Sequence, residues 1–119
     1  MDKHSGDLEE LRDLVREFVQ ERDWDQFHTP KNLAVSLCIE ASELLEPFQW
    51  LTVGDTEELG ATKIERVREE IADVLIYLIR LADKLDVDLA EAVHHKLTHN
   101  RSKYPAEKVK GDARKYDEY

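Results

Sequence analysis

Glu40-Ala41-Ser42-Glu43-Leu44-Leu45 is echoed further along the chain by Glu70-Ile71-Ala72-Asp73-Val74-Leu75, and the fold turns on what these two stretches are. In each, two acids stand three residues apart inside an apolar pattern of helical period, which brings their Cβ atoms to roughly 5–6 Å on one side of a helix. Such a pair is most often a solvated helix face, the more so in a chain with 27 Asp and Glu among 119 residues. Helical phase argues otherwise. At about 100° per residue, Leu33, Leu37, Leu44 and Phe48 form one apolar arc with Glu40 inside it and Glu43 at its edge. On the second stretch Val67, Ile71, Val74, Leu78, Leu81 and Leu85 form the arc, with Glu70, Asp73 and Tyr77 along its border and Glu69 turned away. Both helices are therefore expected to carry carboxylates toward the core.

Carboxylates placed there need compensation. Two of them about 5 Å apart repel by ~3 kcal/mol at an effective dielectric of 20. Four together either raise their pKa values or gather cations. An all-oxygen donor set suits a hard cation, and Mg²⁺ favours a few carboxylates plus substrate phosphates. No Glu-x-x-His stands at either stretch, so the di-iron bundle pattern is not matched.

Outward from these stretches the chain reads as helix after helix. A first helix is expected from Asp7, which with Glu10 has the form of a capping box, to Arg22, burying Leu8, Leu11, Val15, Phe18 and Val19. The segment Asp23-Trp24-Asp25-Gln26-Phe27-His28 has no helical phase. Thr29 as N-cap and Pro30 at the first helical position open the second helix, which ends near Pro47 or Trp50. Thr52 to Gly60 is turn-like. Thr62 with Glu65 is expected to open a long helix to Leu85, and Asp88 with Glu91 a fourth, stopped at Tyr104-Pro105. Residues 1–105 thus form one all-α domain, a four-helix bundle. Residues 106–119 are charged, with Val109 the only aliphatic side chain larger than Ala, and read as a flexible tail.

Composition narrows the partners. A formal charge of −10 argues against nonspecific nucleic-acid binding, which depends on Lys and Arg. The lone Cys38 has no disulfide partner and reads as a small core residue. Charges interrupt every apolar run, so neither a membrane span nor a signal peptide is expected, and the location is expected to be cytoplasmic. On the fourth helix Lys96, Asn100 and Tyr104 fall on or beside the stripe of Leu89, Val93 and Leu97. Polar groups there need partners, and an inward Lys and Asn beside a metal cluster suit phosphate and sugar. His94, His95 and His99 lie off the stripe and read as surface residues.

The order Trp24, His28, Glu40-x-x-Glu43, Phe48-Gln49-Trp50, Glu70-x-x-Asp73-Val-Leu-Ile-Tyr77, Lys96 and Asn100-Arg101-x-Lys103-Tyr104-Pro105 resembles the all-α MazG-like nucleotide pyrophosphohydrolases, most of all their dCTP pyrophosphatase branch. The likeness runs from about Leu8 to Pro105. It implies hydrolysis of a nucleoside triphosphate between the α- and β-phosphates, with dCTP or 5-modified dCTP as substrate and cleansing of the nucleotide pool as the role. It also implies a homotetramer with sites formed between subunits. Glu40, Glu43, Glu70 and Asp73 would be at once the catalytic acids and the ligands of Mg²⁺, with Mn²⁺ able to replace it. Trp24, His28 and Trp50 would meet the base, Tyr77 and Asn100 the deoxyribose, and Lys96 with Arg101 or Lys103 the phosphates, Tyr104 completing the motif. Two other readings compete: a sibling hydrolase for dUTP or another non-canonical triphosphate, and a noncatalytic helical module whose acids hold a structural cation.

Overall fold

A computed structural model describes residues 3–112 and makes the chain all-α. Its helices are α1 (Lys3–Glu21), α2 (Pro30–Leu45), α3 (Thr56–Lys84), α4 (Leu89–Lys103) and α5 (Ala106–Val109), with short 3-10 turns at Asp25–Phe27 and Glu46–Phe48. There is no strand among the described residues, and none of their helices is long and apolar enough to cross a membrane. The chain divides after Val87 into two compact units, the first carrying α1 to α3 and the second α4 and α5.

Local chemistry sets most of the boundaries. The Thr29 hydroxyl accepts from the Asn32 N–H at 3.2 Å with Pro30 behind it, and the Asp88 carboxylate accepts from the Glu91 N–H at 3.0 Å, so both expected caps form. Tyr104 ends α4, and the Pro105 carbonyl then accepts from Val109 at 3.1 Å to start α5. Residues 113–119 of the expected tail lie outside the described residues.

Two starts differ from expectation. Helix α1 begins at Lys3, leaving Asp7 inside it, because nothing between Lys3 and Gly6 forces the chain out of helical geometry, and one interior Gly costs only ~1 kcal/mol. Helix α3 begins at Thr56, capped by Asp55 accepting from Glu58 at 2.9 Å, and is interrupted at Gly60 (φ 73°) rather than opened by Thr62. Helices α1 and α3 end alike. Trp24 N–H reaches back to the Val19 carbonyl at 3.1 Å and Val87 N–H to that of Ala82 at 2.8 Å, with Asp23 (φ 53°) and Asp86 (φ 56°) in the left-handed conformation between.

In the first unit the buried apolar residues are few: Val19, Leu33, Leu59, Ile79, Ala82 and Pro47. Leu37, Leu44 and Phe48 are half-buried with Glu40, as the phase of α2 requires, but Cys38 is exposed on the other side beside Val35 and Ile39. On α1, Leu11 and Phe18 are exposed although the expected stripe included them. On α3 the covered side runs through Ile64, Val67, Glu70, Val74, Tyr77 and Leu81, while Ile71, Leu78 and Leu85 are exposed. The expected arc was rotated, because α3 is apolar on more than one side and periodicity does not say which side a neighbour covers. Glu70 and Tyr77 consequently stand in the middle of the covered side, not on its border.

The loop after Phe48-Gln49-Trp50 is closed by one carboxylate. Glu58 accepts from the backbone N–H groups of Thr52 (2.7 Å), Val53 (2.9 Å) and Gly54 (2.8 Å). The Gly54 bond heads the causes that hold the Glu58 carboxyl below the usual range. Gly54 is at φ +77°, and a Cβ there would meet Phe48 Cδ1 at 2.8 Å, so this position needs glycine twice over.

Candidate functional site

Helix α2 presents Glu40 and Glu43, and α3 presents Glu70; one oxygen from each lies within 4.8 Å of the others. All three side chains are half-buried, and Asp73, one turn beyond Glu70, is exposed. The Oε2 atoms of Glu40 and Glu70 are buried and have no hydrogen-bond partner. The nearby cation of α3, Arg66, pairs with Glu46 instead. Burial first, then contact with Glu43 and the charges of Asp73 and Glu70, push the Glu40 carboxyl up to about 7.

Buried polar atoms without partners are rare, and two carboxylate oxygens left so beside a third acid ask for a cation. The donors are all oxygen, which suits a hard divalent ion such as Mg²⁺. These residues therefore fit the metal expected from the sequence.

A second charged assembly lies elsewhere in the same unit. Arg80 on α3 is 6% exposed. Its Nε donates to His28 Nδ1 at 3.2 Å, its Nη1 to Asp83 at 3.4 Å, and its Nη2 to Asp25. Asp83 also accepts from Arg16 Nε of α1 at 2.7 Å, and Asp25 from Lys84 Nζ at 3.0 Å. The bond from Arg16 leads the causes that hold Asp83 below the usual carboxylate range, and the bond from Lys84 does so for Asp25. Sequence reading passed over Arg80. The signal was there: a guanidinium between Ile79 and Leu81, with an acid three residues on, cannot be buried unpaired.

The other expected site residues divide between the units. Trp24 and His28 flank the Asp25–Phe27 turn; the Trp24 ring meets Phe18 edge-on at 5.7 Å, and His28 is half-buried. Tyr77 is half-buried on the same side of α3 as Glu70, and Trp50 is 88% exposed. Lys96, Asn100, Arg101 and Lys103 lie on α4 and Tyr104 at its C-cap, all in the second unit. His94, His95 and His99 are exposed.

The model of the MazG-like family matches residues 35–119, a span that includes both acidic stretches. The chain belongs to the MazG-like family. Within it, the chain is 48% identical over 113 residues to dCTP pyrophosphatase 1 of Homo sapiens, covering 93% of this chain and 66% of that protein. It is 45% identical over 111 residues to dCTP pyrophosphatase 1 of Mus musculus, covering 92% of this chain and 65% of the relative. The chain thus spans just under two thirds of the length of these curated relatives. Among solved structures, a pyrophosphatase from Archaeoglobus fulgidus is similar with a TM-score of 0.77 and 49% identity, over 88% of this chain and 95% of that one. The likeness to the curated relatives extends across the first unit and α4, so it takes in the aromatic segment Trp24 to His28 as well as the acids.

Proposed function

We propose that this protein is a Mg²⁺-dependent pyrophosphohydrolase that cleaves dCTP or 5-modified dCTP to the monophosphate and pyrophosphate, removing unwanted nucleotides from the pool. The observation that carries the reading is the trio Glu40, Glu43 and Glu70, whose oxygens converge while two of them remain buried without partners. The named activity of relatives 48% and 45% identical selects the substrate class.

Glu40, Glu43, Glu70 and Asp73 would hold the cation, which when bound polarises phosphate oxygens and offsets developing charge. The remaining work falls to the chain. Water attacks the α-phosphorus, its proton passes to a carboxylate oxygen, and the bond to the bridging oxygen breaks to release pyrophosphate. Glu40 or Glu43, the two acids of α2, would accept that proton. Lys96, with Arg101 or Lys103, is assigned to the phosphates, Asn100 and Tyr77 to the deoxyribose, Trp24, His28 and Trp50 to the base, and Tyr104 to the substrate without a narrower role.

A four-helix bundle assembled as a homotetramer in the cytoplasm belongs to the same proposal. It is supported by the large apolar side chains left exposed on α2 and α3, Val35 and Ile39 on one and Ile71, Leu75 and Ile76 on the other, which a second copy would cover.

A panel of canonical and modified nucleoside triphosphates with Mg²⁺, read for pyrophosphate against orthophosphate, tests the proposal. In ¹⁸O-water the label is expected in the monophosphate. Label confined to orthophosphate would overturn it, since the γ-phosphorus would then be the one attacked.

A further inference from the structure

We propose that Arg80 is a positioning residue for base recognition, holding His28 as a neutral ring that carries its proton on Nε2 and so presents a fixed hydrogen-bond donor to the substrate. This rests on the assignment of His28 to the base end of the site made above.

The guanidinium of Arg80 has donors only. Its Nε faces His28 Nδ1 at 3.2 Å. That ring nitrogen must therefore offer a lone pair, and in a neutral imidazole this leaves the single proton on Nε2. The guanidinium cannot turn away, because its other two nitrogens are held by Asp83 and Asp25. Those carboxylates are held in turn by Arg16 of α1 and Lys84 of α3. A chain of contacts thus runs from α1 through α3 to the segment that carries Trp24 and His28, and its end point is the protonation state of one ring.

The charges around His28 act in the same direction. Burial lowers its pKa most, the Arg80 charge next, and Lys84 adds to that; Asp25 opposes them. A second proton on the ring would break the Arg80 bond and set two cations together. His28 is therefore neither a phosphate-binding cation nor a general acid. It suits a base that offers a lone pair at that point, a carbonyl oxygen or an unprotonated ring nitrogen such as N3 of cytosine, and it disfavours one that presents N–H there, as uracil does at N3.

Long-range ¹H–¹⁵N correlation of the ring nitrogens in the full chain reads this directly, with the His28 signals identified by their loss in His28→Gln. The wild type is expected to show the neutral Nε2–H tautomer at neutral pH. An Nδ1–H tautomer, or a cationic ring at neutral pH, would overturn the proposal. Arg80→Met is expected to give mixed tautomers and to raise KM for dCTP about tenfold while kcat is retained. Arg80→Lys, which keeps the charge without the planar fork, is expected to lie between, and it provides the comparison if the Met variant does not fold. An unchanged tautomer in both variants, or a scrambled tautomer with unchanged KM, would also sink the idea. If the wild type hydrolyses no triphosphate, the base-recognition role falls with the functional proposal, whereas the ring spectrum still reports whether Arg80 sets the tautomer.

Discussion

Helix α3 contributes to two charged assemblies, and they are built on opposite terms. At Glu70, with Asp73 exposed three residues on, it meets Glu40 and Glu43, acids against acids, with two oxygens buried and unpartnered. At Arg80 and Asp83, again three residues apart, it meets Arg16, Asp25 and His28, and every charge named there finds an opposite one or a lone pair. Both involve buried or half-buried ionisable groups within one three-helix unit. The first leaves two oxygens without a partner, and the second is complete. Incomplete compensation is what marks a site, because a chain keeps an uncancelled buried charge only where a ligand cancels it.

The largest expected effect attacks the incomplete side. Replacing Glu40, Glu43, Glu70 or Asp73 by its amide should bring turnover to background, since each change removes charge that holds the cation. The same changes should leave the metal-free fold as stable as the wild type or more so, because each pair of carboxylates about 5 Å apart costs ~3 kcal/mol of repulsion at an effective dielectric of 20. Activity assays and thermal melts with and without Mg²⁺ read both halves. Near wild-type activity in two or more amide variants would remove the assignment.

On the complete side the sign reverses. Arg80→Met leaves Asp83 and Asp25 with one cation each, and removing the buried member of the network should lower the midpoint of a urea unfolding curve. An unchanged midpoint would mean that Arg16 and Lys84 alone satisfy the two acids.

The pH dependence separates the two assemblies again. Folded Glu40 binds its proton more tightly than the unfolded chain does, with a pKa of about 7 against 4.5. The folded state therefore carries the extra proton between these values, and metal-free stability should fall as pH rises across that window, then level off above about 7. Asp83 is held below its ordinary 3.8, so its contribution is present above that value and is lost as pH falls through the folded pKa. Glu40→Gln should flatten the upper limb only. Equal slopes in wild type and variant would show that Glu40 is not the group responsible.

The contrast also explains what could be read from the chain without coordinates. Thr29-Pro30 and Asp88-x-x-Glu91 were legible because a cap is decided by three or four adjacent residues. So was the phase of α2 around Glu40, although Cys38, expected in the core, lies with Val35 and Ile39 on the exposed side. Asp7 and Thr62 misled because a capping pattern does not reveal that a helix has already begun or has been broken by Gly60. Arg80 was legible only as a residue that needs partners, not as one with these partners. Asp83 stands three residues on, but Asp25 and His28 come from the segment after α1, distant in sequence, and only the folding of that segment against α3 brings them to Arg80. Ile71 and Leu78 were placed inward because α3 has apolar residues enough for two faces, and the choice between them belongs to what α3 packs against.

The smallest effect concerns the two indoles, which stand in contrasting settings. Trp24 follows α1 near the complete assembly, packed edge-on against Phe18 with the Arg22 guanidinium 3.7 Å from the Phe18 centroid. Such a ring pair contributes about 0.5–1.5 kcal/mol beyond its buried area, so Trp24→Ala should lower the melting temperature as well as weaken dCTP binding. Trp50 is 88% exposed and has no such support. Its truncation should leave the melting temperature of the isolated chain unchanged. If the ring stacks on the base, Trp50→Ala should raise KM for dCTP about tenfold, the equivalent of ~1.4 kcal/mol, with kcat at saturation retained. A melting temperature that falls in Trp50→Ala, and falls more at high protein concentration, would instead place the indole under a second copy of the chain. If neither KM nor stability moves, base recognition rests on Trp24 and His28, and the ring after α2 takes no part in it.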